Sequence, residues 1–324
     1  MVFRLKAWKE LKGGVDLLKP EEADYEAPLV VFTLLGQASL GVYVGILVST
    51  YMLQIPLELV ALHLSTLLMG IGVLASIFHA SRNRLKAYRV IFNFKSSWLS
   101  REVGLAAAFL LFLLASTVPG YVLNSLYDAT TLIVGFLTLT AMAASYMTLP
   151  RPSWSHYNTL VSFYCSTILL GFSLLGFIYG LKYFEAINAS ILAYHRVASL
   201  LIAMAALIRL ASLTLYLKGG DPDPVLRVSR ELMLNRFKPL LSLEVVFLLL
   251  SFVLAVSVQL LTFSGLARYV NALMLMTLPS TSISETTGRM LFYSSRGPPK
   301  GRITVFNVLV RSRGLRLKGA VTGI

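Results

Sequence analysis

The sequence predicts an all-α polytopic membrane protein with eight transmembrane helices, grouped as two four-helix bundles. Three observations carry this. Only 14% of the 324 residues are charged and 56% are hydrophobic, whereas soluble domains carry about 25% charged residues. The mean hydropathy is +0.73. Apolar runs of about 20 residues, the length that crosses the hydrocarbon as a helix, recur along the sequence and are separated by polar connections.

Residues 1–27 contain Asp16, Glu21, Glu22, Asp24 and Glu26 and no apolar core. They are therefore expected to form an N-terminal cytoplasmic-side tail, not a cleavable signal peptide. The first two spans are expected at 28–51 and 57–80. The third, 102–119, is short and stops at Pro119-Gly120. The fourth, 127–149, and the fifth, 158–181, flank a connection that contains Pro150 and Pro152. The sixth, 189–217, is long enough to tilt or to extend into the headgroups. The next connection begins GGDPDPVLRVSRELM. Its Asp-Pro pairs start helices well. Val225, Leu226, Val228, Leu232 and Met233 would give a short interfacial helix an apolar side, and a plain loop is the alternative reading. The seventh and eighth spans follow at 240–263 and 269–294, closing a membrane domain over 28–294. The remaining 295–324 form a basic C-terminal tail, with seven Lys and Arg and no acidic residue, too polar to span.

A net charge of +14 would suggest nucleic acid in a soluble protein. Here the basic residues lie in loops and tails, which points instead to lipid headgroups, membrane orientation or an acidic partner. All but four of the 29 Lys and Arg fall on one side of an eight-span topology; the exceptions are Lys182, Arg196, Arg209 and Arg268. The positive-inside rule then places both termini in the cytoplasm of a cell membrane. A basic surface that docks an acidic partner gives the same distribution. Cys165 is the only cysteine, so this protein alone builds no disulfide and no thiolate-held zinc or iron–sulfur cluster.

Ionisable side chains within the hydrocarbon cost a few kcal/mol, about 2.5–3.5 on the lenient scale, and each asks for a reason. The candidates are His63, His79, Glu102, His195, Arg196, Arg209, Glu244 and Glu285. Arg196 and Arg209 lie near a span end and are expected to snorkel, and Glu244 starts a span. His79 and Glu102 form a set, because one ends a span and the next opens with the other on the same membrane face. Neutral imidazole accepts one hydrogen bond and donates another, and a carboxylate accepts. A quinol, which gives up two protons when oxidised, needs acceptors of this kind. A helix-end histidine and an N-terminal glutamate favoured by the helix dipole would leave the same trace. Glu285 and Arg289 are four apart, a spacing that allows an ion pair, and Gly288 between them admits a close neighbour. Haem is a further reading of four histidines. His63 and His79, 16 residues apart on one helix and so about 24 Å apart, cannot share an iron. His63 with His195, or His79 with His156, stays open.

Five strings, in order, resemble the membrane anchor subunit family of dimethyl sulfoxide reductase. SSWLSREVG resembles its Ser-Trp-Leu-Ser-Arg-Glu stretch. PLVVFTLLGQASLG carries Phe32, Thr33, Gly36, Gln37 and Gly41, and LMGIGVLASIFH carries Met69, Gly70, Gly72, Ser76 and His79. YMTLPRPSW supplies Tyr146, Pro152 and Trp154, and ETTGRMLFY supplies Glu285, Gly288, Arg289, Phe292 and Tyr293. One departure is that Ala80-Ser81-Arg82-Asn83 stands where the family has a Gly-x-Pro turn after its histidine.

The resemblance implies an eight-helix anchor with no haem, iron–sulfur cluster, molybdenum or other metal of its own. It implies a subunit that oxidises quinol, usually menaquinol, in anaerobic electron transport. Electrons would pass to a four-cluster ferredoxin-like iron–sulfur subunit and then to a molybdopterin catalytic subunit. The family's quinol-site histidine and glutamate map onto His79 and Glu102, with Gln37, Arg101, Glu285 and Arg289 as pocket or support. The alternatives are an anchor for another acceptor (polysulfide, tetrathionate or an oxyanion), a b-type cytochrome, and a secondary transporter. A transporter would show paired repeats with broken helices, and no internal repeat is legible.

Overall fold

The computed structural model of the protein describes residues 27–80, 95, 97–118, 124–147, 153–185, 187–219, 224–263 and 269–295. The two tails and most of the basic connection after His79 lie outside these residues, as do the side chains of residues 78–80. All regular structure among the described residues is helical. In sequence order the helices are α1 Ala27–Leu47, continued by a π turn Val48–Met52, α2 Leu59–Ala80, α3 Trp98–Ser116, α4 Ser125–Met147 and α5 Tyr157–Lys182. Then come α6 Ala189–Lys218, the short α7 Pro224–Glu231 with a π turn Leu232–Arg236, α8 Lys238–Phe263 and α9 Val270–Ser294.

Seven of these are long and apolar enough to cross a membrane: α1 with its π turn, α2, α3, α4, α5, α6 and α8. The long helix α9 differs because its buried side is polar, with Thr277, Ser280, Thr281, Ser284, Glu285, Thr287 and Arg289 all turned inward. It lies between α8 and α5, with an edge on α1, so these groups face protein and not lipid.

Local sequence sets the helix ends. Ser97 caps α3 by accepting from the Ser100 N–H, which starts the helix at Trp98, four residues before the expected 102. Glu102 consequently sits one turn inside. Asn188 caps α6 through the Ile191 N–H at 2.8 Å, and the His156 Nδ1 caps α5 through the Asn158 N–H at 3.2 Å. Such caps satisfy donors that a helix start leaves open. A helix forms in the 218–239 connection, as its Asp-Pro signal predicts. Leu226 and Met233 turn inward onto Leu213, Tyr216, Leu241 and Leu291 at the ends of α6, α8 and α9.

The packing contacts are between α1 and α2, α2 and α3, α3 and α4, and α1 and α4 in the first half, and α5 and α6, α6 and α8, α8 and α9, and α5 and α9 in the second. The main seam between the halves is α1 against α5. There two glycines remove the side chains altogether. A Cβ on Gly171 would lie 2.1 Å from the Gly41 carbonyl carbon, and one on Gly41 would lie 2.0 Å from the Thr167 oxygen. In a membrane, where lipid is as apolar as Leu, this close backbone packing supplies the attraction between helices. Reciprocal hydrogen bonds add to it on α1 and α2, with Ser39 Oγ donating to the Ser65 carbonyl at 2.8 Å and Ser65 Oγ to the Ser39 carbonyl at 2.9 Å.

Candidate functional site

Glu102 is 3% exposed, a carboxyl carried wholly into the helix packing because α3 begins at Trp98. Ser145, on the last turns of α4, lies in hydrogen-bonding reach of it. Next to Ser145 is Tyr146, whose hydroxyl accepts a 2.6 Å hydrogen bond from Tyr293 on α9. Around these phenols stands an aromatic wall. Trp154 stacks on Phe292 with ring centres 5.4 Å apart, and Tyr146 meets Trp154 edge-on at 5.6 Å. Trp154 is held by its indole N–H, which donates to the Phe292 carbonyl at 3.1 Å.

One turn back along α9, Arg289 is buried, with its guanidinium 4.0 Å from the centre of the Phe163 ring, a cation–π contact. Its Nη2 donates to Gln37 Oε1 at 2.9 Å. Its Nε and Nη1, and Gln37 Nε2, have no hydrogen-bond partner among the described residues. Glu285, a further turn back, accepts from the Ser166 hydroxyl. The spacing of Glu285 and Arg289 allowed an ion pair, but the described residues show none between them. Gln37 on α1 and Ser166 on α5 draw the two side chains to different neighbours.

Gly288 does admit a close neighbour, and that neighbour is Glu244: a Cβ on Gly288 would meet Glu244 Oε1 at 2.7 Å. Glu244 is paired with Arg209 at 2.6 Å, and both are almost wholly buried. Arg209 therefore does not snorkel. It turns inward, and its Nη1 also donates to Asn158 Oδ1 at 3.0 Å. This pair is the main functional-looking feature that sequence reading missed. Two half-explained charges on different helices were its only trace.

The other candidates are placed as follows. His79 lies on the last turn of α2, a helix that packs on α3; its side chain is outside the described residues. Arg101 turns toward the segment before α3, with its Nη2 on the Lys95 carbonyl at 2.7 Å and its guanidinium 4.5 Å from the Trp98 ring. His63 is exposed and bonds its own helix at Leu59. His195 is fully buried, with its Nε2 2.9 Å from Asn271 Oδ1. These two rings have separate surroundings. Among the described residues no three His, Cys, Asp or Glu converge as metal ligands. Two open cavities, of roughly 420 and 220 Å³, are both lined by Tyr164, Ile168 and Leu201 among others. They lie on the face of α5 opposite Phe163 and Ser166, away from Glu102.

What distinguishes the site is its origin. Gln37, Glu102, Tyr146, Trp154, Glu285, Gly288, Arg289, Phe292 and Tyr293 come from four of the five distant strings singled out in the sequence, and they assemble in one buried region. A family comparison covers residues 21–295 with the family described as "DMSO reductase anchor subunit (DmsC)". The protein belongs to the DmsC family. It is also similar to the C subunit of the anaerobic dimethyl sulfoxide reductase of Haemophilus influenzae, at 28% identity over 167 residues, 46% of this sequence and 57% of that protein. The match thus spans 57% of the length of this curated relative. No solved structure matches the present protein.

Proposed function

We propose that this DmsC-family protein is the quinol-oxidising membrane anchor of a dimethyl sulfoxide reductase-type molybdoenzyme. In this reading eight helices span the cell membrane, α9 among them, in two groups of four with both termini in the cytoplasm. The packing of α1–α4 among themselves, and of α5, α6, α8 and α9 among themselves, supports the grouping. A quinol, taken as menaquinol, gives two protons and two electrons. Glu102 and His79 accept the hydroxyl protons. The electrons leave to an iron–sulfur subunit and from there to a molybdopterin subunit that reduces the terminal acceptor. Arg289 and Gln37 offer donors to the ring oxygens of the oxidised form, and the Trp154–Phe292 wall offers a flat apolar face. Arg101 shapes the turn that presents Glu102, and Glu285 supports α9 through Ser166.

The observation that carries this reading is the burial of Glu102 among groups drawn from the strings that resemble the family. A carboxyl at that depth is costly, and the neighbouring hydroxyls and cation suit proton exchange. In the assembled complex, Glu102→Gln is expected to abolish quinol oxidation while leaving the protein inserted in the membrane. Normal quinol turnover by that variant would remove the site.

A further inference from the structure

Quinol oxidation, as proposed above, releases protons inside the protein, and the second half of the molecule holds a buried ion pair, Arg209–Glu244, with no task in that reaction. Arg209–Glu244 is the only ion pair among the described residues in which both side chains are nearly inaccessible. A pair that served only to clamp helices would be expected to be fully satisfied, because half-satisfied buried networks are costly. This one is not. Glu244 Oε2 and Arg209 Nε have no partner among the described residues, nor do Arg289 Nε and Nη1 and Gln37 Nε2. Buried polar atoms of this kind are the usual partners of internal water.

These groups are also contiguous. Tyr293 donates to Tyr146 beside Glu102 at 2.6 Å, and Arg289 and Glu285 follow on successive turns of α9. Glu244 rests on Gly288, the residue before Arg289. Arg209 joins Glu244 at 2.6 Å to Asn158 at 3.0 Å, and Ser212 also donates to Asn158 at 2.9 Å. The Asn158 backbone N–H meets His156 Nδ1 at 3.2 Å. His156 is half-buried at the start of α5, with its ring 4.9 Å from that of Tyr216.

We propose that Glu285 and Glu244, with the water their surroundings bind, conduct the protons of quinol oxidation from the Tyr146–Tyr293 pair to the membrane surface at His156. The proposal rests on the quinol reading above. In balance, the quinol loses two electrons to the iron–sulfur partner and two protons to Glu102 and His79. Each proton then leaves by breaking an O–H bond at Glu102 or an N–H bond at His79 as an O–H bond forms on the next carboxyl or water. It ends at His156 or in surface water, so no relay group changes its net state after turnover. Arg209 and Arg289 stay protonated throughout; they hold the carboxylates and the water and carry nothing.

The test separates relay from clamp. Replacing a buried ion pair by apolar residues of similar size is often neutral for stability, so the double variant R209M/E244M in the whole complex should assemble. The relay predicts quinol turnover at least tenfold slower, partly restored by a small membrane-permeant weak acid that carries protons in place of the missing carboxylate. Wild-type turnover, or slowing that no weak acid relieves, would overturn it. If the double variant does not assemble, Glu244→Gln replaces it, which keeps the shape and removes the carboxyl, with the same two readings. Glu102→Gln run alongside separates the two proposals. If that variant oxidises quinol normally, the quinol site itself is wrong; if it is inactive while R209M/E244M is normal, the relay alone fails.

Discussion

Gly171→Ala should loosen the seam between α1 and α5 more than any other single methyl added along it. The new Cβ would lie 2.1 and 2.2 Å from the carbonyl carbon and Cα of Gly41, and 2.6 Å from Val42 N. These are backbone atoms, so no rotamer change relieves them. Restoring ordinary contact needs the helices to part by about 1.3 Å, and overpacking of this kind costs roughly 1–3 kcal/mol or more. Separation also forfeits the close backbone packing on which membrane helices rely. Gly70→Ala is the control, because its Cβ would meet nothing nearer than Leu110 Cδ1 at 3.9 Å. Unfolding in a detergent titration should show Gly171→Ala destabilised by about 2 kcal/mol or more and Gly70→Ala within about 0.5 kcal/mol of the parent. Equal stability of the two variants would refute the backbone-to-backbone contact.

Four further variants test particular contacts. Tyr43→Phe removes a 2.9 Å hydrogen bond to the buried Asp128 carboxylate and should cost about 1–3 kcal/mol in the same titration. It should leave quinol turnover unchanged, since Asp128 opens α4 while the Glu102 site lies at that helix's other end. Lys182→Ala breaks a pair with Glu58 in which the lysine is half exposed and should cost under about 1 kcal/mol; Glu244→Ala strands Arg209 and should cost about 3–5 kcal/mol. Arg289→Lys keeps the charge but loses the planar donors and the Phe163 face, and quinol turnover measured on the complex should fall about tenfold, equivalent to about 1.4 kcal/mol.

Seven of the helices are legible in the sequence because each is a continuous apolar run with a polar break, a one-dimensional signal. Their starts are less so. Apolarity alone puts the third span at 102, whereas the Ser97 side chain on the Ser100 N–H begins it at Trp98, which moves Glu102 from the mouth of the helix to its interior. The residues of the site are legible by resemblance, string by string. Their mutual arrangement is not: Gln37 and Arg289 meet across 252 residues and Tyr146 and Tyr293 across 147, and no local pattern encodes such pairings. Arg209 and Glu244 show the same limit. Each reads as a charge near a span end, and only packing of α6 against α8 turns the two into a buried pair. Asp128, which accepts from Tyr43 and Tyr51, is illegible for the same reason.

The central claim is that a quinol headgroup meets Glu102. A structure of the complete complex with a bound quinone analogue tests it most directly. A ring oxygen is expected within hydrogen-bonding distance of the Glu102 carboxyl, with the ring beside Trp154 and Phe292. A headgroup seated instead in the apolar cavities along the far face of α5, between Tyr164 and Leu201, would contradict it.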